Sequence, residues 1–270
     1  MNFNADFSIY FTSVKSAIAY RFTMMLSILT GPLTLLVNYV IWNGVFKASG
    51  KTVISGFTFD QMVTYIVISF ITVYLTWDDI DGRLADGVRE GSFATFLLKP
   101  ISFLRYEFVN KLGHRTLAFL IEYIPVFLIM NFLFGFKLFK TNNFFVYLIS
   151  LGLAFTVSFF LSVLLGILAF WVVKPQGLMR IYNMLEFFIH GTVLPLSLFP
   201  DIIQKVFFFL PFQFVAYVPA TVFIGNYNLG GVIFSSFEII LYGLVQILIL
   251  FLITLLLWKI SIKRFCGVGT

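Results

Sequence analysis

The chain is a series of long apolar runs separated by short polar punctuation. A helix needs ~20 mostly apolar residues to cross the hydrocarbon core of a bilayer. Runs of that kind fall at 22–46, 61–77, 112–136, 144–173, 178–198 and 233–258. They are continuous rather than alternating, which predicts helices and not barrel strands, because backbone groups in lipid must pair within their own segment. The expected fold class is therefore an all-α membrane protein. It is a six-transmembrane-helix bundle forming one domain over 1–270.

Three polar or broken stretches complete the pattern. In 1–21, Phe7, Phe11, Val14 and Ile18 recur at helical spacing, with Asp6, Ser8, Ser13, Lys15 and Ser16 mostly elsewhere. That predicts an amphipathic helix lying in the membrane interface. Residues 78–111 form the longest polar stretch, opening with Asp78, Asp79 and Asp81. Leu84 and Val88 stand four residues apart, so a short helix would show an apolar edge flanked by Arg83, Arg89 and Glu90. Gly91 is placed to stop that helix, Ser92 to cap a second one over 93–98, and Lys99-Pro100 to end it. Residues 199–232, with the approach from Leu194, are apolar but interrupted by Pro195, Pro200, Pro211 and Pro219. Pieces too short to span predict a re-entrant or interfacial helical hairpin packed on protein.

Composition agrees with this reading. Hydrophobic residues make up 60% of the chain and charged residues 11%, against ~25% charged in ordinary soluble domains. A soluble fold could not hide that much apolar surface. The net charge of +6 is spread between the apolar runs and forms no clustered stripe, so a nucleic-acid partner is not expected. Placing the N-terminus inside leaves thirteen of the eighteen Lys and Arg residues in cytoplasmic segments and five outside. The positive-inside rule then predicts a multi-pass protein of the cell membrane with both termini cytoplasmic. The first apolar run is too long for a cleavable leader, and Asp6 sits in the would-be basic region.

Candidate chemistry is sparse. Cys266 is the single cysteine, and His114 and His190 lie far apart, so no metal site is expected. The sequence has no G-x-x-x-x-G-K-[ST], H-E-x-x-H or G-x-S-x-G. The chain is thus not expected to be an enzyme. Glu122, Glu186 and His190 fall inside predicted spans. A charge at the bilayer centre costs ~2.5–3.5 kcal/mol or more, so each should face protein or water. Glu186 and His190 are i, i+4 and share a helix face, a spacing that predicts a pair. They serve either a polar transport route or helix-to-helix hydrogen bonds. Ala154, Ser158, Ser162 and Gly166, preceded by Ser150, put a small residue every four positions along the fourth run. That strip predicts close helix packing, within the chain or between two copies.

Taken together, the N-terminal amphipathic segment, the run Asp81-Gly82-Arg83-Leu84 through Glu90-Gly91 to Leu98-Lys99-Pro100, the proline-punctuated 194–225 and the short basic C-terminus resemble the permease subunits of type-2 ABC exporters. The resemblance spans nearly the whole chain. It implies six spans per subunit, two permeases (a homo- or heterodimer) in membrane lipid, and a cytoplasmic ABC ATPase that holds ATP and Mg. This chain would hold no cofactor itself. It also implies a coupling helix over about 82–98, with Arg83, Leu84, Val88, Arg89 and Glu90 as docking residues. An outer gate would hold Pro200, Pro211, Phe212 and Pro219. Substrate would leave the cell by alternating access. Two alternatives stand beside it. One is an ion-coupled secondary transporter using Glu122, Glu186 and His190 as a relay, and the other is a non-transporting membrane anchor or immunity protein.

Overall fold

The protein is described by a computed structural model covering residues 3–19, 21–134, 143–172 and 174–265. Lys137, Lys140 and Cys266 lie outside these described residues, as do the last residues of the run 112–136.

The chain is mostly helical. α1 (Phe3–Ala19) is followed by α2 (Arg21–Ser49), a two-residue hairpin of β1 (Val53–Ile54) and β2 (Phe57–Thr58), and α3 (Phe59–Thr76). α4 (Ile80–Arg89) and α5 (Ser92–Leu97) are short. α6 (Phe103–Ala118) runs through a π-helical turn at Phe119–Tyr123 into α7 (Ile124–Phe134). α8 (Phe144–Ile167) ends in a 3-10 turn, Leu168–Phe170, and α9 (Gln176–Ile189) follows. α10 (Asp201–Phe209) and α11 (Tyr217–Ile224) are linked by the 3-10 turn Pro211–Phe214. A second hairpin, β3 (Asn228–Leu229) and β4 (Val232–Ile233), leads to α12 (Ser236–Ile262).

Among the described residues, three stretches are long and apolar enough to cross a membrane: Phe59–Arg89, which breaks at Trp77, Phe144–Phe170 and Ser236–Ile262. They match the second, fourth and sixth predicted runs. The fifth differs. A continuous helix over 178–198 was expected, but α9 has 14 residues, a length of about 21 Å. It stops because Gly191 takes a left-handed φ of +78°. A side chain there would press on Leu196, Tyr65 and Tyr217, all within 3.0–3.2 Å of a built Cβ. The two β-hairpins are also additions to the all-α expectation. Each pairs only two residues per strand, and each has glycine at positive φ in its turn, where glycine carries no steric cost.

Capping boxes start two of the long helices. Thr58 Oγ1 accepts from the Gln61 amide while the Thr58 amide donates to Gln61 Oε1 at 2.9 Å. Ser235 and Glu238 repeat the arrangement on α12. Each box satisfies two amides that would otherwise lack helical partners. The core lies where α3, α8 and α11 meet. Every residue from Tyr217 to Phe223 is buried, so α11 enters the bundle while α10 stays outside, with Ile202, Val206 and Phe209 exposed. Pro219 is tolerated because it is the third residue of α11, where an amide has no partner within the helix.

Contacts assign the ends of the bundle. The Asn226 side-chain amide donates to the Gly56 carbonyl at 2.8 Å, so both β-hairpins share one end. At the other end, Asp6 pairs with Arg105, and Phe93 packs against Phe265 with ring centroids 5.4 Å apart. Described residues near both termini therefore sit at the end that carries α4 and α5.

Candidate functional site

Four of the sequence-derived candidates, Ser158, Ser162, Glu186 and His190, line a polar cleft at the α4 end, flanked by α3, α4, α8 and α9. Trp77 leaves the helical region with ψ 145° and ends α3. The Asp78 carboxylate then accepts from the Ile80 amide at 3.0 Å and starts α4. Leu84 is buried against α8, where a Cβ on Gly166 would come within 3.0–3.1 Å of Leu84 and of the Asp81 backbone. The absence of a side chain at Gly166 is what lets α4 lie on α8. The rest of the small-residue strip points inward too. Ser150 and Ala154 are buried, and Ser158 Oγ donates to the Thr76 carbonyl at 2.7 Å. Ser162 lines the cleft.

The residues expected to couple to an ATPase divide into two groups. Arg83 reaches inward and ion-pairs with the buried Glu107 of α6 at 2.7 Å. Leu84 is buried and Val88 half-buried. Arg89 and Glu90 form the exposed edge, with Arg89 pairing to Asp86 at 3.0 Å on side chains that are both about half exposed. Glu90 ends α4 and Gly91 takes a φ of +77°, the glycine stop expected there. Ser92 does not cap α5. It is the first helical residue, and Gly91 occupies the cap position without a side-chain bond. Beyond it, Leu98 is 86% exposed.

α5 is held from behind by rings. Phe93 is surrounded by Phe103, Phe170, Trp258 and Phe265 at centroid distances of 5.4–6.0 Å. Edge-to-face arrangements like these are favoured by the ring quadrupoles. They join α5 to α6, to the end of α8 and to α12. Nearby, the Trp171 indole donates to Ser261 Oγ at 2.9 Å, and the Arg264 guanidinium lies 3.8 Å over the Trp171 ring. The sequence reading missed this cluster. Its signal was faint, being one aromatic at each of five separate polar-to-apolar boundaries.

The cleft is open, spanning about 530 Å³ with its mouth included, and is lined by Asp78, Asp79, Asp81, Tyr182, Glu186 and His190, among others. Glu186 and His190 do share it, but they do not pair. His190 caps the C-terminus of α9, and its Nε2 lies 3.2 Å from the Tyr182 hydroxyl. Its ring sits 6.2 Å from that of Phe212. Its carbonyl accepts from the Tyr217 amide at 3.1 Å. One residue thus links the cleft to the proline-rich segment. Glu122 is elsewhere, in the π-helical turn beside an apolar pocket with Gly31, Leu35 and Phe70. The three residues of the supposed ion relay therefore do not form one site.

Of the residues expected at an outer gate, Pro200 caps α10 and Pro211 opens the 3-10 turn. Phe212 faces His190, and Pro219 is buried in α11. Polar bonds knit this region. The Gln204 side-chain amide donates to the carbonyls of Ser197 and Phe199. Its oxygen accepts from the Gly230 amide at 3.0 Å.

α1 is strapped to α6. Its buried side is Ser13 and Ala17, while Phe7, Phe11 and Ile18 are exposed and form the stripe expected to face lipid. A Cβ on Gly113 would meet Ser13 and the Tyr10 carbonyl at 2.7 Å. Ser13 Oγ also hydrogen-bonds Asn110. The Asp6 hydrogen bond holds the Arg105 guanidinium pKa above its ordinary value.

Among the described residues, no cluster of His, Cys, Asp and Glu is arranged to hold a metal ion. No curated protein matches the chain at a significant level. Residues 32–269 match the family of ABC-2 family transporter proteins, which covers every element from Pro32 in α2 to the far end of α12. The chain belongs to that family and is a permease subunit of a type-2 ABC transporter.

Proposed function

We propose that the chain is the membrane permease of an exporter in which a separate ATPase moves α4 and α5, and alternating access follows in the spans. The family is a membrane component that implies association with an ABC ATPase. The observation that carries the reading is the two-sided character of α4. Asp86, Arg89 and Glu90 present charge at its exposed edge, while Asp81 and Leu84 on the opposite edge contact α8 and the cleft. A rigid element touching a partner on one side and the substrate route on the other is what a trans-driven lever requires. The α4 end is then cytoplasmic, as the distribution of Lys and Arg predicts.

The same reading takes the bundle as six spans, with α6 and α7 as the third and α9 as a shortened fifth. Two permeases would face each other. α9 supports this: Asn183 is exposed and Glu186 half-buried in the same stretch as the exposed Ile181, Met184 and Leu185. Polar groups at membrane depth need protein or water beside them. A second permease on this side would close the cleft into a central path. The acidic lining favours a cationic or polar cargo over an anionic one.

The test is co-reconstitution of the chain with its ABC ATPase and second permease in vesicles. ATP-dependent outward transport is expected. It should be lost when the ATPase is catalytically inactive and should resist uncouplers. Transport that needs no ATP and collapses with the ion gradient would overturn the reading.

A further inference from the structure

On the opposite side of α3 from the polar cleft is a second chamber, open at its mouth and spanning about 1020 Å³ with the mouth included, with almost wholly apolar walls from α3, the π-helical turn, α7, α8 and α11. Its end nearer α4 is marked by Leu75, Phe119 and Leu151, and its hairpin end by Leu128 and Phe144. The nine residue-to-residue steps from Phe119 to Leu128 rise about 13 Å, close to the depth of one leaflet's hydrocarbon, half of the ~30 Å core.

The chamber is not featureless at the α4 end. Tyr123, at the close of the π-helical turn, lines it. Its hydroxyl is buried. The Arg115 guanidinium lies beside it, and Arg115 Nε is buried and unpartnered. Arg115 is fixed by donating to the Tyr74 carbonyl at 3.2 Å and by the Trp77 ring at 5.3 Å. Buried donors without partners are rare in folded proteins and call for an explanation. π-turns recur at functional sites, and this one places both Phe119 and Tyr123 on the chamber wall.

We infer that the chamber takes one acyl chain of an anionic phospholipid from the leaflet on the α4 side, with the lipid phosphate seated on Arg115 and the Tyr123 hydroxyl. The apolar walls alone cannot select a lipid. A tail in the bilayer is already out of water, so entering an apolar chamber gains little over bulk lipid. Preference must come from the headgroup, and a guanidinium with a free N–H beside a hydroxyl is a phosphate site. Basic pockets between spans on the cytoplasmic side are known to hold anionic headgroups. The inference needs only that the bundle lie in a bilayer, so it stands or falls separately from the ATPase-driven reading.

The experiment uses the full chain in phosphatidylcholine vesicles carrying a small fraction of phosphatidylglycerol with a photoactivatable group on its tail. Cross-linked peptides are mapped by mass spectrometry. Labelling of the α8 stretch around Leu148 and Leu151 is expected to exceed, several-fold, that around the lipid-exposed Leu252 and Leu256 of α12. Leu151→Trp, which fills the chamber, should remove the excess and leave α12 labelling unchanged. Arg115→Gln should erase the preference for phosphatidylglycerol over a phosphatidylcholine probe, and Arg115→Lys should restore part of it. If Leu151→Trp fails to fold, Leu148→Phe reads the same filling effect. Equal labelling of chamber and α12, or equal labelling by both lipids in the native chain, would overturn the proposal.

Discussion

Lys111 of α6 is completely buried, ion-pairs with Asp78 at the head of α4, and donates to Ser158 Oγ of α8 at 2.6 Å. One ammonium group therefore ties together three elements that meet beside the cleft. Removing one partner of a buried pair leaves an uncompensated charge and costs about 3–5 kcal/mol. Lys111→Met is expected to destabilise the detergent-solubilised chain by that amount in thermal unfolding. Adding Asp78→Leu should recover most of the loss. A double variant as unstable as the single one would argue against the pair as the cause.

The two groups of proposed coupling residues should separate by measurement. Arg89→Ala with Glu90→Ala removes exposed charges, whose pairs are worth about 0–1 kcal/mol. Stability should barely move, while ATP hydrolysis by the partner should no longer drive transport. Arg83→Ala instead strands the buried Glu107 and is expected to lower the melting temperature measurably. Normal coupled transport by the Arg89/Glu90 variant would remove these residues from the docking surface.

Glycines in the helices test the close contacts. At Gly113 a methyl group would strike Ser13 and the Tyr10 carbonyl at 2.7 Å, whereas at Gly152 it meets nothing within 4 Å. Replacing helical glycine by alanine gains about 1 kcal/mol where there is room, and overpacking costs about 1–3 kcal/mol. Gly152→Ala should be neutral or stabilising. Gly113→Ala should be destabilising and should reduce disulfide formation between cysteines placed at Ser13 and Asn110.

The tilted approach of the Phe212 ring to His190 offers a readout of the proline-rich segment. A cysteine at Phe212 is expected to change its reactivity toward a membrane-impermeant thiol reagent when nucleotide binds the assembled transporter. A cysteine at Ile202, exposed on α10, should react equally in both states. Reactivity at Phe212 that never changes would make this segment a fixed cap.

Much of this arrangement was legible in the sequence because apolar run length and glycine placement act locally. The runs at α3, α8 and α12 are long and unbroken, and Gly91 stops α4 where it stands in the chain. The fifth run misled because hydropathy does not register backbone conformation. Gly191 breaks the helix through its fit against Leu196 and against Tyr65 and Tyr217, the last two distant in sequence. Pairing of Glu186 with His190 failed for a related reason. The i, i+4 rule holds inside a helix, and His190 lies at its end. The capping boxes at Thr58 and Ser235 follow a spacing that the sequence displays openly. The Lys111–Asp78 pair and the rings around Phe93 depend on tertiary neighbours and carry no local signature.

Only Trp77, Asp78 and Asp79 separate the last turn of α3 from the first turn of α4, and Asp78 is clamped from two sides. There is no slack tether at this corner to absorb a push. A displacement delivered to α4 must arrive at the membrane helix as tilt or rotation of comparable size. Lengthening the corner by even a short flexible insert would leave both helices folded and turn a crank into a hinge.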